Sequence, residues 1–405
     1  MTDNRYSATD PSGDGASPAT LRVRLASSLI AIASVLVVAA CGGGDGIESG
    51  EREGEVETAE AGPVEGELTI SNWPLYIDKS EGAVDGPGST LDEFEQETGA
   101  SVKYIEDIND NFEFFGKLRP QLAEGDSGGR DIFVVTDYMA KKMYDLGYLQ
   151  NLDKEALPNV EENLRADLQS PGFDPERNFS VPWQSGMTGI IVNTDEAPEI
   201  NSIQDLLDPK YKGRVTFLGD PYDDVALMMK LMGIDPNTAT KEDWLAAIDE
   251  LDAAADSGQI RDFTGNAYIN PLVKGDIVAA VGWSGDAIQL QADNPNIEWR
   301  RPEEGCNLWS DNMVIPIGAP NEAAALEFMN YVYDPEVQAD IAEYVNYVTP
   351  VDGVREVLAE RDPTLAENDL IFPDEEFTAD CTPQAPLSPE DEPEVIGEYQ
   401  KVIGG

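Results

Sequence analysis

Four short segments of this chain set an aromatic ring beside an acid or hydroxyl just past the end of a strand-like run. They are Asn72-Trp73-Pro74-Leu75-Tyr76, Thr136-Asp137-Tyr138, Gly282-Trp283 and Trp309-Ser310-Asp311. Indole and phenol faces can bury methylene groups and attract a cation through their quadrupoles, at about 0.5–2 kcal/mol per well-placed contact. A buried ammonium also needs a carboxylate, because desolvation otherwise defeats its binding. Taken singly, each ring reads first as a core or surface aromatic. Their recurrence at equivalent loop positions reads as the lining of a ligand cleft.

Other chemistries fail on residue type. The 405-residue chain contains no histidine, which removes Ser-His-Asp and Cys-His catalysis and His-ligated zinc together. Asp107-Ile108-Asn109-Asp110-Asn111 begins like a calcium loop, but Phe112 stands where the glycine belongs and Leu118 where the closing glutamate belongs. Gly282-Trp283-Ser284-Gly285 starts like a nucleophile elbow, yet the next residue is Asp286 and there is no histidine base. No phosphate loop or dinucleotide fingerprint occurs, and neither a cofactor nor a metal is called for. The 79 Asp+Glu against 26 Lys+Arg give a formal charge of −53, opposing nucleic-acid binding. Carboxylates spread over the whole chain read as a surface adapted to high salt, where screening suppresses self-repulsion. Recognition must therefore rest on a few placed carboxylates.

The elements that would position these residues alternate between strand and helix. Glu67–Ser71, Ser101–Ile105, Asp131–Val135, Gly189–Val192, Arg214–Leu218 and Asp276–Val281 read as strands. Thr90 and Glu93 form a capping-box pattern, with Gly99 as the helix stop. Helices follow at Val225–Met232, Lys241–Ala254, Glu322–Tyr331 and Pro335–Tyr344. With 41 % hydrophobic residues including 12 Phe, 14 Tyr and 6 Trp, the chain can fill packed cores. The pattern predicts open α/β sheets, which bind ligands beyond the carboxyl ends of their strands.

Ahead of this region, Leu25–Ala40 is apolar, follows Arg22 and Arg24, and is short for a membrane span. It reads as an export signal. Its end, Val38-Ala39-Ala40-Cys41-Gly42, resembles the bacterial lipobox, which implies cleavage before Cys41 and lipid on its sulfur. Residues 1–40 are thus expected to be a lipoprotein signal peptide, and 41–66 an acidic flexible tether. The mature protein is expected on the outer face of the cytoplasmic membrane. Two cysteines remain, Cys306 and Cys381. An even remainder in an oxidising space suggests one disulfide, with two buried free thiols as the alternative.

From about Glu67 to Asp352 the sequence resembles the spermidine/putrescine-binding proteins of bacterial polyamine ABC importers. The segments that carry the resemblance are Ile70–Tyr76, Val134–Met139, Ser180-Val181-Pro182-Trp183, Ser202–Gly213, Gly282–Gly285, Trp309-Ser310-Asp311 and Tyr347-Val348-Thr349-Pro350. The resemblance implies an α/β, two-lobe, periplasmic-binding-protein-like fold of type II, each lobe an open sheet flanked by helices, with a hinge between them. It implies lobe 1 at 67–186 plus 311–355 and lobe 2 at 187–306 plus 359–405. It gives Trp73, Tyr76, Tyr138, Trp283, Trp309 and Tyr347 the part of boxing a polyamine, and Asp311 that of the ammonium-binding aspartate. Thr136 matches a hydroxyl near the amine, Asp224 a second carboxylate, and Asp220 or Asp223 a third. The family often has an acidic or polar residue before the tyrosine of the first loop; here it is Leu75, which removes an ammonium partner. The expected partners are the polyamine, importer membrane subunits and the membrane through a lipid anchor, for a monomer without catalysis. A related binding protein for an amino acid, sugar or iron complex is the alternative, ahead of a hydrolase using paired carboxylates.

Overall fold

In the computed structural model of the protein, residues 56–78, 88–384 and 386–404 are described. The export signal, Cys41 and most of the expected tether lie outside them. The strands are β1 (Thr58–Ala59), β2 (Glu67–Asn72), β3 (Ser101–Glu106), β4 (Ile132–Thr136), β5 (Asn151–Leu152) and β6 (Val181–Asn193). They continue with β7 (Val215–Phe217), β8 (Ile260–Phe263), β9 (Ala279–Trp283), β10 (Ile297–Arg300), β11 (Asn307–Val314) and β12 (Thr382–Pro383). One mixed sheet runs β3-β2-β4-β11-β6-β9-β7-β8, with β10 on β6 and β12 on β11.

Two strands are shared by both halves of this sheet. The later part of β11, Asp311–Val314, pairs antiparallel with β4, which is parallel to β2. The later part of β6, Thr188–Val192, pairs with β9, which is parallel to β7. Between them β6 and β11 pair directly, from Thr188↔Asn307 to Val181↔Met313. The expected lobe boundaries at 186/187 and 306/311 thus fall within the two shared strands. Apolar residues cover both faces. One cluster includes Leu68, Ile70, Phe94, Trp183, Met313 and Phe328; another includes Phe133, Ile190, Val215, Val225, Trp244 and Val281. β4 is buried at every position, as its unbroken apolar run requires for a central parallel strand.

Local sequence accounts for most element ends. Gly99 closes the Thr90–Thr98 helix in the left-handed conformation. The capping box at its start belongs to Ser89 and Asp92 rather than to Thr90 and Glu93, because the helix begins one residue earlier than the pattern suggested. Asp110, from the failed calcium loop, caps the Asn111–Leu122 helix by accepting from Glu113 N, and Asp107 pairs with Arg130. The Gly189–Val192 run is the end of a 13-residue strand. The expected tether is shorter than 41–66: β1 pairs in parallel with β5, Ala59 is fully buried, and Glu60 N donates to the Glu322 carboxylate. Two alternating residues among glutamates gave no strand signal; a complementary edge elsewhere in the fold supplied it. Cys306 and Cys381 are joined by a disulfide. Among the described residues no helix is long and apolar enough to cross a membrane.

Candidate functional site

The carboxyl ends of β2, β4, β7 and β9 open on one cavity of about 530 Å³, counting the space at its mouth. The β2 end delivers Trp73–Tyr76, β4 delivers Thr136 and then Tyr138, and β9 ends in Trp283. The loop after β7 delivers Asp220 and Asp223 through the Pro221–Leu231 helix. β11 supplies Trp309 and Asp311, and Asp311 stands at a register shift in its pairing with β6. Such a bulge re-aims a side chain locally.

Among the described residues four carboxylates line this cavity, Asp220, Asp223, Asp286 and Asp311, and no basic side chain does. Asp311 accepts from Thr136 Oγ1 (2.7 Å) and Tyr76 OH (2.9 Å). Burial pushes its carboxyl up to about 7, against which those two hydroxyls act. Asp286 accepts from Tyr347 OH (2.6 Å) and Tyr268 OH, and burial raises it as well. Asp223 accepts from Gln384 Nε2 (2.7 Å) and Trp283 Nε1 (3.1 Å), and again burial raises it. Asp220 keeps partial exposure, but protein surrounds its carboxylate and the Asp223 charge lies close. It rises well above the usual range from burial first and that charge second, while accepting from Tyr138 OH (2.5 Å) and Tyr222 N (2.8 Å).

The aromatic walls are held by their own polar edges. Trp73 Nε1 donates to Val134 O, and Trp309 Nε1 to Thr188 Oγ1, both at 3.1 Å. Trp73 and Trp283 meet edge to face with centroids 6.2 Å apart. Tyr347 packs against Tyr76 at 5.3 Å and Trp309 at 5.6 Å. With each indole N–H already donated to protein, the ring faces are what the cavity offers. Two glycines make the packing fit. A Cβ on Gly186 would overlap the Trp309 indole, and one on Gly285 would sit 2.6 Å from Tyr347 Cε2.

Nine of the ten residues expected to bind ligand line this one cavity: Trp73, Tyr76, Thr136, Tyr138, Asp220, Trp283, Trp309, Asp311 and Tyr347. Asp224 does not. Its carboxylate is fully buried behind the wall and accepts from Leu218 N (3.0 Å), Gly219 N (2.8 Å) and Tyr399 OH (2.7 Å). On a helix, adjacent residues point about 100° apart, so Asp223 faces the cavity and Asp224 the core. Besides Pro74, Leu75 and Asp223, the last named from the sequence as the alternative to Asp220, four polar wall residues lay outside the expected set: Asn111, Asn266, Asp286 and Gln384. Asp286 had a signal, lying three residues past Trp283 in the first turn of the next helix. Asn111 donates to Thr136 Oγ1 and Tyr138 OH, both at 2.9 Å, though its segment read only as an acidic turn. Asn266 and Gln384 come from irregular segments without a local pattern. Each leaves its Oδ1 or Oε1 buried without a hydrogen-bond partner. Ser284, of the elbow-like segment, accepts from Met187 N and has no nucleophile's surroundings.

Comparison with known proteins fits this architecture. The family model for bacterial extracellular solute-binding proteins matches residues 89–372. The spermidine/putrescine-binding periplasmic protein of Escherichia coli is 30 % identical over 313 residues, spanning 76 % of this chain and 84 % of that protein. The putrescine-binding periplasmic protein PotF of Escherichia coli is 31 % identical over 300 residues, spanning 69 % and 76 %. Among solved structures, the spermidine/putrescine ABC transporter substrate-binding protein PotD from Streptococcus pneumoniae superposes with a TM-score of 0.66 at 27 % identity. It covers 84 % of this chain and 98 % of that one. The α/β fold expected from the sequence is thus the periplasmic-binding-protein-like fold. The chain belongs to the bacterial extracellular solute-binding protein family.

Proposed function

We propose that this chain is an extracytoplasmic polyamine-binding protein that takes up putrescine or spermidine and presents it to an ABC importer. The observation that carries the reading is the cavity: four carboxylates enclosed by protein, no basic side chain among the described residues, and walls of Trp73, Trp283, Trp309 and Tyr347. Carboxylates raised by burial are held by neutral donors alone, so the site lacks the positive charge that would stabilise their ionised forms. A linear polyamine supplies ammonium groups for the acids and methylenes for the rings. The names of the relatives support the same ligand class. A sugar would need a more neutral polar lining, and ferric iron would need clustered tyrosines free of carboxylate partners.

In this reading the shared strands β6 and β11 act as the hinge. Lobe 1, residues 67–186 plus 311–355, and lobe 2, residues 187–306 plus 359–405, close on the cation. Residues from Cys41 to the start of β1 tether the pair to the outer face of the membrane through lipid on Cys41. The protein works as a monomer and returns its ligand unchanged. Calorimetry against putrescine, spermidine, amino acids and sugars, with the ligand assayed afterwards, tests all of this together. Saturable heat with the amines alone and intact ligand is the expected result. Heat with a sugar or amino acid instead, or conversion of the ligand, would replace this reading by another binding or hydrolytic function.

A further inference from the structure

The disulfide stands beside the cavity rather than in a distant loop. Cys306 immediately precedes β11, the strand that carries Trp309 and Asp311, and Cys381 immediately precedes β12. β12 has two residues, one of them Pro383, which has no N–H to donate. Its pairing with β11 rests on Thr382 N donating to Cys306 O and Gln384 N to Leu308 O, both at 2.9 Å. Lys230 Nζ adds a bond to Thr382 Oγ1 at 2.7 Å. Downstream, Leu387 N next meets Tyr222 OH at 3.3 Å. Gln384 lies between these attachments, with its side-chain amide on Asp223. So short a strand does not hold itself against a sheet. A covalent link across 75 residues of chain removes the closure entropy that bringing these segments together would cost.

We propose that the Cys306–Cys381 disulfide is a positioning element of the binding site: by fixing β12 on β11 it keeps Gln384 against the Asp223 carboxylate, and ligand affinity therefore follows the oxidation state of this bond. The inference rests on the polyamine reading for its ligand, though not for its structural part. Reduction by a dithiol transfers two electrons and two protons to the cysteine sulfurs, and the dithiol leaves as its own cyclic disulfide. With β12 released, Asp223 loses a hydrogen bond to a charged group, and the wall loses the Gln384 carbonyl.

The test is a double-mutant cycle on the full mature chain, with putrescine and spermidine as probes. Gln384→Ala and the Cys306→Ser/Cys381→Ser pair should each weaken binding about tenfold or more. Combined, they should weaken it no further than either alone, since both remove the same contact. Independent, additive losses would overturn the proposal, as would full affinity in the serine pair with only its thermal stability lowered. Should that pair fail to fold, the native protein is reduced with dithiothreitol, alkylated and carried through the same cycle with Gln384→Ala. A second arm needs no ligand: hydrogen exchange at the Thr382 and Gln384 amides. Protection lost on reduction while β6 and β11 stay protected is expected; protection unchanged by reduction overturns the proposal. If the unsubstituted protein binds no polyamine, the proposed function falls, and the exchange arm still decides the disulfide's role.

Discussion

Asp311 is the residue on which the chemistry turns, since the hydroxyls of Thr136 at the end of β4 and of Tyr76 beyond β2 converge on it inside the cavity. Its carboxyl ionises at about 3.9 in an unfolded chain and is pushed up to about 7 by burial. The folded form therefore holds a proton that the unfolded form releases. The stability this contributes is fully present below about pH 4 and is lost as pH rises through about 7. Ligand-free, the stability of the native protein relative to Asp311→Asn should fall across that window in denaturant titrations. Binding has the opposite sign, because the ammonium needs the ionised acid: affinity should fall about tenfold per unit as pH drops below 7. At neutral pH Asp311→Asn should cost about 3–5 kcal/mol of binding, the range for breaking a buried charge pair. A loss under about 1.4 kcal/mol, or tenfold, would make Asp311 a bystander. The neighbours Asp223 and Asp224 separate along the same logic. Asp223→Asn should weaken binding at least tenfold. Asp224→Asn should chiefly cost stability, about 1–3 kcal/mol for the unmatched Leu218, Gly219 and Tyr399 donors, as melting curves beside titrations will tell.

At the scale of elements, strand ends do the positioning, and this is where the sequence was most legible. Runs such as Ile132–Thr136 are apolar enough to name a buried parallel strand, so its end, with Thr136 and then Tyr138, followed directly, although a helix over Asp137–Asp145 stands where a loop was expected. Nine cavity residues were reachable that way or through the family segments. What was not legible depends on contacts far apart in the chain. The β1–β5 pairing needed Asn151–Leu152, and Gln384 reaches Asp223 from 161 residues away. Asp224 misled because residue type alone does not say which side of the Pro221–Leu231 helix meets the cavity. The close packing of β6 against β11 also has a testable consequence. Gly186 faces Trp309 across the pair, and its missing side chain gives the indole its seat. Gly186→Ala should displace Trp309, weakening binding about tenfold and changing tryptophan fluorescence in the free protein. Unchanged affinity and emission would mean that the indole's seat is dispensable.

At the scale of the whole molecule, a chain with 79 acidic residues against 26 basic ones carries a cavity that is itself acidic, so the long-range field and the local site attract the same ligand class. The field acts on capture: at low salt it should speed association with a polycation, and the gain should fade as salt rises and the Debye length falls to a few ångströms. The buried pairs act on closure and are screened far less. A ligand that touches both sides of the cleft favours the closed form only by its differential affinity. Small-angle scattering at high salt should therefore show the radius of gyration decreasing when polyamine is added; an unchanged radius at saturation would leave a static pocket. The ion pairs on the surface, such as Lys210–Glu199 or Lys401–Glu398, are exposed and contribute little to stability. The central claim is that a cavity with four acids and aromatic walls holds a polyamine. Isothermal titration of putrescine and spermidine into the mature protein, at low and high salt, tests it most directly. One saturable site in both salts, weakened at least tenfold by Asp311→Asn, is the predicted result; no heat and no thermal stabilisation with either amine in either salt would contradict it.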